Sequence, residues 1–155
     1  MEHIFWLNDN LVGGRPGPNL VPWNLRALRN SGVDAILSVN DGELVQQDEL
    51  NSLGFKYLCT PLSENAPPRM GDLDTCSAAL PKAYAFVSRN RSQGLKTLVH
   101  CRQGRDRTGL FLAYYLVKQN GVSPEEAVMT LRAVRGDALA AEGWDEFAIQ
   151  VLQSC

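Results

Sequence analysis

Lys96-Thr97-Leu98-Val99-His100-Cys101-Arg102-Gln103-Gly104-Arg105-Asp106-Arg107-Thr108-Gly109-Leu110-Phe111 decides the fold. Its first five residues have the content of a short buried strand, and Leu110 to Val117 reads as a buried helix. The polar loop between them joins a strand's end to a helix's start. Open α/β sheets bind ligands at that place, where the unpaired N–H groups and partial positive charge of a helix start favour an anion.

Five residues separate Cys101 from Arg107. That spacing lets the chain curl almost once around a phosphate. A thiolate can then attack phosphorus, backbone N–H groups of residues 102 to 107 can surround the oxygens, and the planar fork of Arg107 can grip two of them. Arg102, Gln103, Gly104, Arg105, Asp106 and Arg107 are the candidate substrate-binding residues, with Gly104 permitting the tightest backbone approach. The helix N-terminus and three arginines favour the thiolate form of Cys101.

The segment resembles the His-Cys-x5-Arg-Thr-Gly signature of the cysteine-dependent protein tyrosine and dual-specificity phosphatases. Weaker likenesses are the opening Trp-x3-Asn-Leu-x-Gly-Gly-x-Pro pattern, Gly-Val-Asp-Ala-Ile-Leu-Ser-Val, and the Leu-Val-Lys helix after the signature. The resemblance implies a metal-independent phosphomonoester hydrolase working through a cysteinyl-phosphate. Cys101 is then the nucleophile and Arg107 the transition-state clamp. Thr108 hydrogen-bonds the leaving thiolate, or alternatively caps the helix, and His100 orders the loop rather than exchanging protons.

The family takes its general acid from an aspartate on a separate loop, here Thr60 to Arg69. Leu62 stands where many dual-specificity phosphatases have that aspartate, whereas relatives acting on phosphoinositides place it three residues after the first proline, ahead of Pro-Pro. Glu64 occupies that position here, with Asp72 and Glu142 as alternates. No counterpart of the deep phosphotyrosine-recognition segment of the large tyrosine-specific enzymes is recognisable, which implies a shallow pocket. The expected substrates are phosphotyrosine, with phosphoserine and phosphothreonine, or small phosphomonoesters. The alternatives are a phosphatase of non-protein substrates such as phosphoinositides, or a phosphate-binding module without turnover.

The chain has 155 residues, 45% hydrophobic and 21% charged, which suits one domain spanning residues 1–155 with a core that needs no staples. A formal net charge of -2 argues against broad adhesion to nucleic acid or membrane. No run approaches a membrane span, and the N-terminus lacks a basic segment followed by an apolar one, so a cytoplasmic monomer is expected. Cys59, Cys76, Cys101 and Cys155 form no C-x-x-C pair and no metal-ligand spacing, so no metal or cofactor is expected. Cys59 and Cys76 read as core fillers, with a redox partner for Cys101 among them as the alternative.

Strands are predicted over residues 4–7, 10–14, 35–39, 55–59 and 96–100, His3 adjoining the first as an ordinary strand residue. The Arg15 to Pro18 stretch reads as a turn. Helices are predicted from Pro22 to Asn30, Gln46 to Leu53, Leu73 to Val87, through Leu110 to Val117, from a Ser123 cap to Arg135, and from Glu142 to Leu152. The alternation predicts an α/β fold with a mostly parallel sheet of four or five strands flanked by helices, similar to that of the small dual-specificity phosphatases.

Overall fold

A computed structural model describes residues 3–155. The strands are β1 (Phe5–Trp6), β2 (Val12–Arg15), β3 (Val33–Ser38), β4 (Lys56–Cys59) and β5 (Lys96–His100). The helices are α1 (Leu25–Asn30), α2 (Gln47–Ser52), α3 (Asp72–Ser92), α4 (Arg107–Asn120), α5 (Pro124–Val134) and α6 (Trp144–Ser154). The five strands form one mixed sheet in the order β1-β2-β5-β3-β4. Only β1 runs antiparallel, hairpinned to β2 through Phe5 opposite Gly14; the pairings β2 with β5, β5 with β3 and β3 with β4 are all parallel.

The register sets the chemistry. Central strand β5 ends at His100, which lies opposite Arg15 of β2 on one side and Ser38 of β3 on the other. Three strands thus finish level with one another, and the next residue of β5's chain is Cys101.

The sheet is covered on both faces, as a parallel sheet requires. On one, α1 and α2 bury Leu25, Leu28 and Leu50 with Ile36, Phe55 and Leu98. The other holds the larger core, where Leu37 and Val99 meet Leu80, Ala83 and Val87 of α3, Leu110 to Leu116 of α4, and Trp144, Phe147 and Val151 of α6. Helix α4 is buried without a break from Thr108 to Leu116, which is why its sequence reads as a continuous apolar run rather than an amphipathic stripe.

Several local expectations are corrected. Helix α1 starts at Leu25 rather than Pro22, because Asn24 accepts the Ala27 N–H at 2.9 Å and makes the N-cap. Helix α3 is longer than predicted and carries Pro81 inside it. His3 sits in a turn with φ 68, not in a strand. Cys76 is buried in the core, but Cys59 lies exposed on the edge strand β4. All four cysteines are free thiols.

Candidate active site

The loop from Cys101 to Asp106 rises from β5 and enters α4 at Arg107. Gly17 anchors its start by donating its N–H to the Arg102 carbonyl at 2.9 Å. Gly104 fixes its middle, with φ +69, and a Cβ added there would meet the carbonyl carbon and oxygen of Arg15 at 2.5 Å. Glycine is required at 104 by that left-handed backbone and by the strand beneath it. The sequence assigned this freedom to phosphate approach alone; the backbone of Arg15 is the nearer constraint.

The far side of the loop is strapped by the connection between α5 and α6. Leu139 donates its N–H to the Arg105 carbonyl at 3.2 Å, Arg135 Nη2 donates to the Gln103 carbonyl at 3.1 Å, and the Ala141 N–H donates to Asp106 Oδ1 at 3.1 Å. The other oxygen of Asp106 pairs with Arg105 at 3.2 Å. Asp106 is buried with both oxygens engaged, so its carboxylate braces the loop and offsets Arg105.

Beneath Cys101, His100 is 1% exposed, flanked by Ser38 and by the Trp23 ring at 5.3 Å between ring centroids. Its Nδ1 lies 3.0 Å from the Cys101 carbonyl oxygen, and its Nε2 is hydrogen-bonded to Ser38 Oγ, which accepts from the Tyr57 hydroxyl at 2.7 Å. A carbonyl only accepts, so Nδ1 carries the proton and Ser38 O–H donates to Nε2. Burial lowers the His100 pKa to about 4, and Arg15 nearby also disfavours its charge, against the opposing pull of the Cys101 carbonyl. His100 is therefore neutral at physiological pH, holding the loop at its first residue.

Glu64, Cys101, Arg102, Gln103, Arg105 and Arg107 line one pocket of about 290 Å³, with Ala66, Asp106 and Ala141 completing its wall. Glu64 comes from the loop after β4 and the other sequence-predicted residues from the signature loop. The alternates are placed elsewhere. Glu142 is exposed beside Ala141 and is not part of the lining. Asp72 begins α3, buried, and its carboxylate accepts from Asn65 Nδ2 and from the Arg69 N–H. Burial raises its pKa, but the hydrogen bonds from Arg69, Ser63 and Asn65 and the charge of Arg69 outweigh that and hold it below the ordinary carboxylate value.

Arg107 is gripped from two sides. Its Nε donates to the Ser63 carbonyl at 2.7 Å, and its guanidinium carbon lies 4.9 Å from the centroid of the Trp144 ring. Trp144 is fully buried and donates its indole N–H to the Asn65 carbonyl at 2.8 Å. Thr108 is the second residue of α4 and does not occupy its N-cap, which falls on Asp106. Its Oγ1 is buried and makes no hydrogen bond within the described protein.

The sequence missed four residues that shape this site: Arg15, Arg135, Leu139 and Trp144. Trp144 had a signal, being a large aromatic at the head of an apolar helix immediately after a glycine. The others act through contacts between distant segments.

This geometry places a cysteine, a loop of backbone amides and a bridged arginine at the carboxyl end of the sheet's parallel strands, and a family model agrees with it. The model described as the dual specificity phosphatase catalytic domain matches residues 23–150. The chain belongs to that family. Among curated relatives, it is 30% identical to the phosphatidylglycerophosphate phosphatase PTPMT1 of Arabidopsis thaliana over a 158-residue alignment covering 94% of this chain and 43% of the relative. It is 29% identical to dual specificity protein phosphatase 12 of Mus musculus over 119 residues, 76% of this chain and 33% of that one. The chain thus spans less than half the length of these two relatives. Its fold is similar to that of Tk-PTP in its active form, with TM-score 0.78 at 20% identity over the whole of both chains. It is also similar to PTPMT1 in complex with PI(5)P, with TM-score 0.75 at 19% identity over 97% of this chain and 95% of that one.

Proposed function

We propose that this chain is a dual-specificity phosphatase that hydrolyses phosphomonoesters through a cysteinyl-phosphate. The observation that carries the reading is the shared pocket, in which a carboxylic acid, a thiol and an arginine fixed by Ser63 and Trp144 meet. Cys101 attacks phosphorus in line with the departing oxygen. Arg107 and the amides of residues 102 to 107 stabilise charge on the equatorial oxygens, usually the largest catalytic contribution. Glu64 gives its proton to the leaving oxygen and then takes one from the water that cleaves the sulfur–phosphorus bond. Thr108, whose hydroxyl is buried and otherwise unbonded in the chain, donates to the departing sulfur.

The substrates proposed are phosphotyrosine, with phosphoserine and phosphothreonine. A second reading, toward phosphoinositides and other lipid phosphates, is supported by the exposed Arg102 and half-buried Arg105 on the pocket wall and by the likeness to a phosphatidylglycerophosphate phosphatase. A cytoplasmic location and a monomeric state belong to the same proposal; the four free thiols fit a reducing compartment. Among the described residues, no helix is long and apolar enough to cross a membrane.

The test is turnover of a panel of phosphopeptides, phosphoinositides and p-nitrophenyl phosphate, with Cys101→Ser as control. Vanadate should inhibit the wild-type protein and EDTA should leave it unchanged. Appreciable turnover by Cys101→Ser, or loss on chelation, overturns the mechanism. Phosphate binding without turnover of any substrate would make the domain a binding module.

A further inference from the structure

A groove of about 470 Å³ is lined by α5 and α6, larger than the pocket of about 290 Å³ around Cys101. Helix α5 contributes Glu125, Val128, Met129 and Arg132, whose i, i+3, i+4, i+7 spacing puts them on one helix face. Helix α6 contributes Asp145, Glu146 and Ile149. The apolar part of the lining is thus Val128, Met129 and Ile149. Met129 is 72% exposed, although α5 turns Ala127, Val128 and Leu131 into the core. An unbranched thioether left in solvent adapts to an irregular apolar partner.

Charge narrows the partner. Among the described residues no cation pairs with Glu125, Asp145 or Glu146. Arg132, the only basic residue described on this lining, donates instead from Nε to the Ala138 carbonyl at 3.0 Å. Acidic side chains suit the first turns of helices, and here the first turns of two helices place them around a single apolar groove. The catalytic pocket has the opposite polarity, with Arg102, Arg105 and Arg107 against Glu64 and Asp106. An anion is drawn to that pocket and a cation to the groove.

The two flank one connection. Ala141 is on the wall of the catalytic pocket and Asp145 on that of the groove, so their Cα atoms, four residues apart, are separated by no more than about 14 Å. A short extended peptide covers such a distance. We propose that the groove docks a protein substrate through a segment remote from its phosphate, one that carries Lys or Arg around an aliphatic side chain. The inference rests on the phosphatase reading and adds a feature of the substrate. With the basic segment seated in the groove, the phosphorylated residue meets the Cys101 loop at a raised effective concentration.

The first test is independent of catalysis. Met129 is one of three methionines, so its ε-methyl is followed by NMR in wild-type protein labelled with carbon-13 at the methionine methyls. An unphosphorylated Arg-Lys-Leu-Leu-Arg-Lys peptide is titrated in, and separately the same peptide with Glu at every basic position. A saturable shift of the Met129 methyl is expected with the basic peptide only, while the methyl of Met70, outside the groove, stays in place. No shift, or an equal shift with the acidic peptide, overturns the docking site whatever the chain does to phosphomonoesters. A shift on raising the protein concentration alone overturns it too, because the groove is then a contact between copies of the chain.

The second test compares phosphotyrosine peptides with and without the basic segment. The segment is expected to raise kcat/KM about tenfold, the scale of burying part of one aliphatic side chain. Met129→Lys should remove that advantage and leave p-nitrophenyl phosphate turnover unchanged. Equal kcat/KM for the two peptides in the wild-type protein refutes substrate docking. Failure of the wild-type protein to cleave p-nitrophenyl phosphate is the separate failure, that of the phosphatase reading.

Discussion

Arg107 donates from Nε to the carbonyl of Ser63 across 2.7 Å, so the proposed phosphoryl clamp also holds the residue preceding Glu64, the proposed proton donor. Arg107 and the loop that carries Glu64 are one mechanical unit, although the two residues lie 43 positions apart in the chain. Lysine cannot make this bond and a two-pronged grip at once. Arg107→Lys is expected to lower kcat by about a hundredfold to a thousandfold, the range for removing one transition-state donor. It should also speed amide hydrogen exchange over residues 63–66. Exchange at the wild-type rate in that stretch would show that the two parts are not coupled.

Trp144 is the floor of the same unit, stacked under Arg107 and bonded to Asn65. Trp144→Phe keeps an aromatic surface beneath the guanidinium and removes the indole N–H. The Asn65 carbonyl then loses its donor in a half-buried site, and a stability loss of about 1–3 kcal/mol is expected by urea denaturation. Phosphotyrosine turnover should fall more than p-nitrophenyl phosphate turnover, because the loosened loop carries Glu64, the proposed acid, and not Cys101. Equal losses on both substrates would place the effect on Arg107 instead.

His100 makes folding stability depend on pH. Its folded-state pKa of about 4 lies below the ordinary 6.5, so the unfolded chain takes up a proton at a pH where the folded one does not. This contribution is fully present above about pH 6.5 and is lost as pH falls toward 4, with a total of about 3 kcal/mol and a slope of up to about 1.4 kcal/mol per pH unit. His100→Gln should be less stable at neutral pH and should lack that slope. Urea midpoints measured from pH 4 to 8 decide it: parallel curves for the two proteins would mean that His100 is not the group responsible.

Much of this was legible in the sequence because local patterns carried it. The apolar run before Cys101 and the longer one after Gly109 gave strand, loop and helix in order, and the Ser123-Pro124 cap opened α5 as expected. Pro22 misled because proline is favoured at a helix start but does not compel one, and the side chain of Asn24, two positions on, made the cap. Cys59 looked like core in an apolar strand; which strand lies at the edge depends on sheet order. Arg15 read as part of a polar turn, while in the fold the 102–104 segment covers it. Such positions owe their environment to residues far away in the chain, and no periodicity records that.

Glu64 as proton donor is the sharpest remaining prediction, since three carboxylates competed for the role in the sequence and the structure separates them. Glu64 lines the pocket with Cys101 and Arg107. Asp72 faces the donors of Asn65 and Arg69, which favour its charged form and hold its carboxylate away from the pocket wall. Its depressed pKa adds stability above about pH 3.8 that is lost as pH falls through the folded value, so Asp72→Asn should destabilise the protein and remove that acid-side dependence. Glu142 is solvent-facing and outside the pocket wall. An acid matters most when the leaving group is poor. Glu64→Gln should therefore slow phosphotyrosine and alkyl phosphates by roughly a hundredfold or more, with little effect on substrates whose leaving groups are strongly acidic. Asp72→Asn and Glu142→Gln should keep wild-type turnover of phosphotyrosine. Wild-type rates for Glu64→Gln on phosphotyrosine, together with slowed turnover in either of the other two variants, would move the acid off the loop that Arg107 holds.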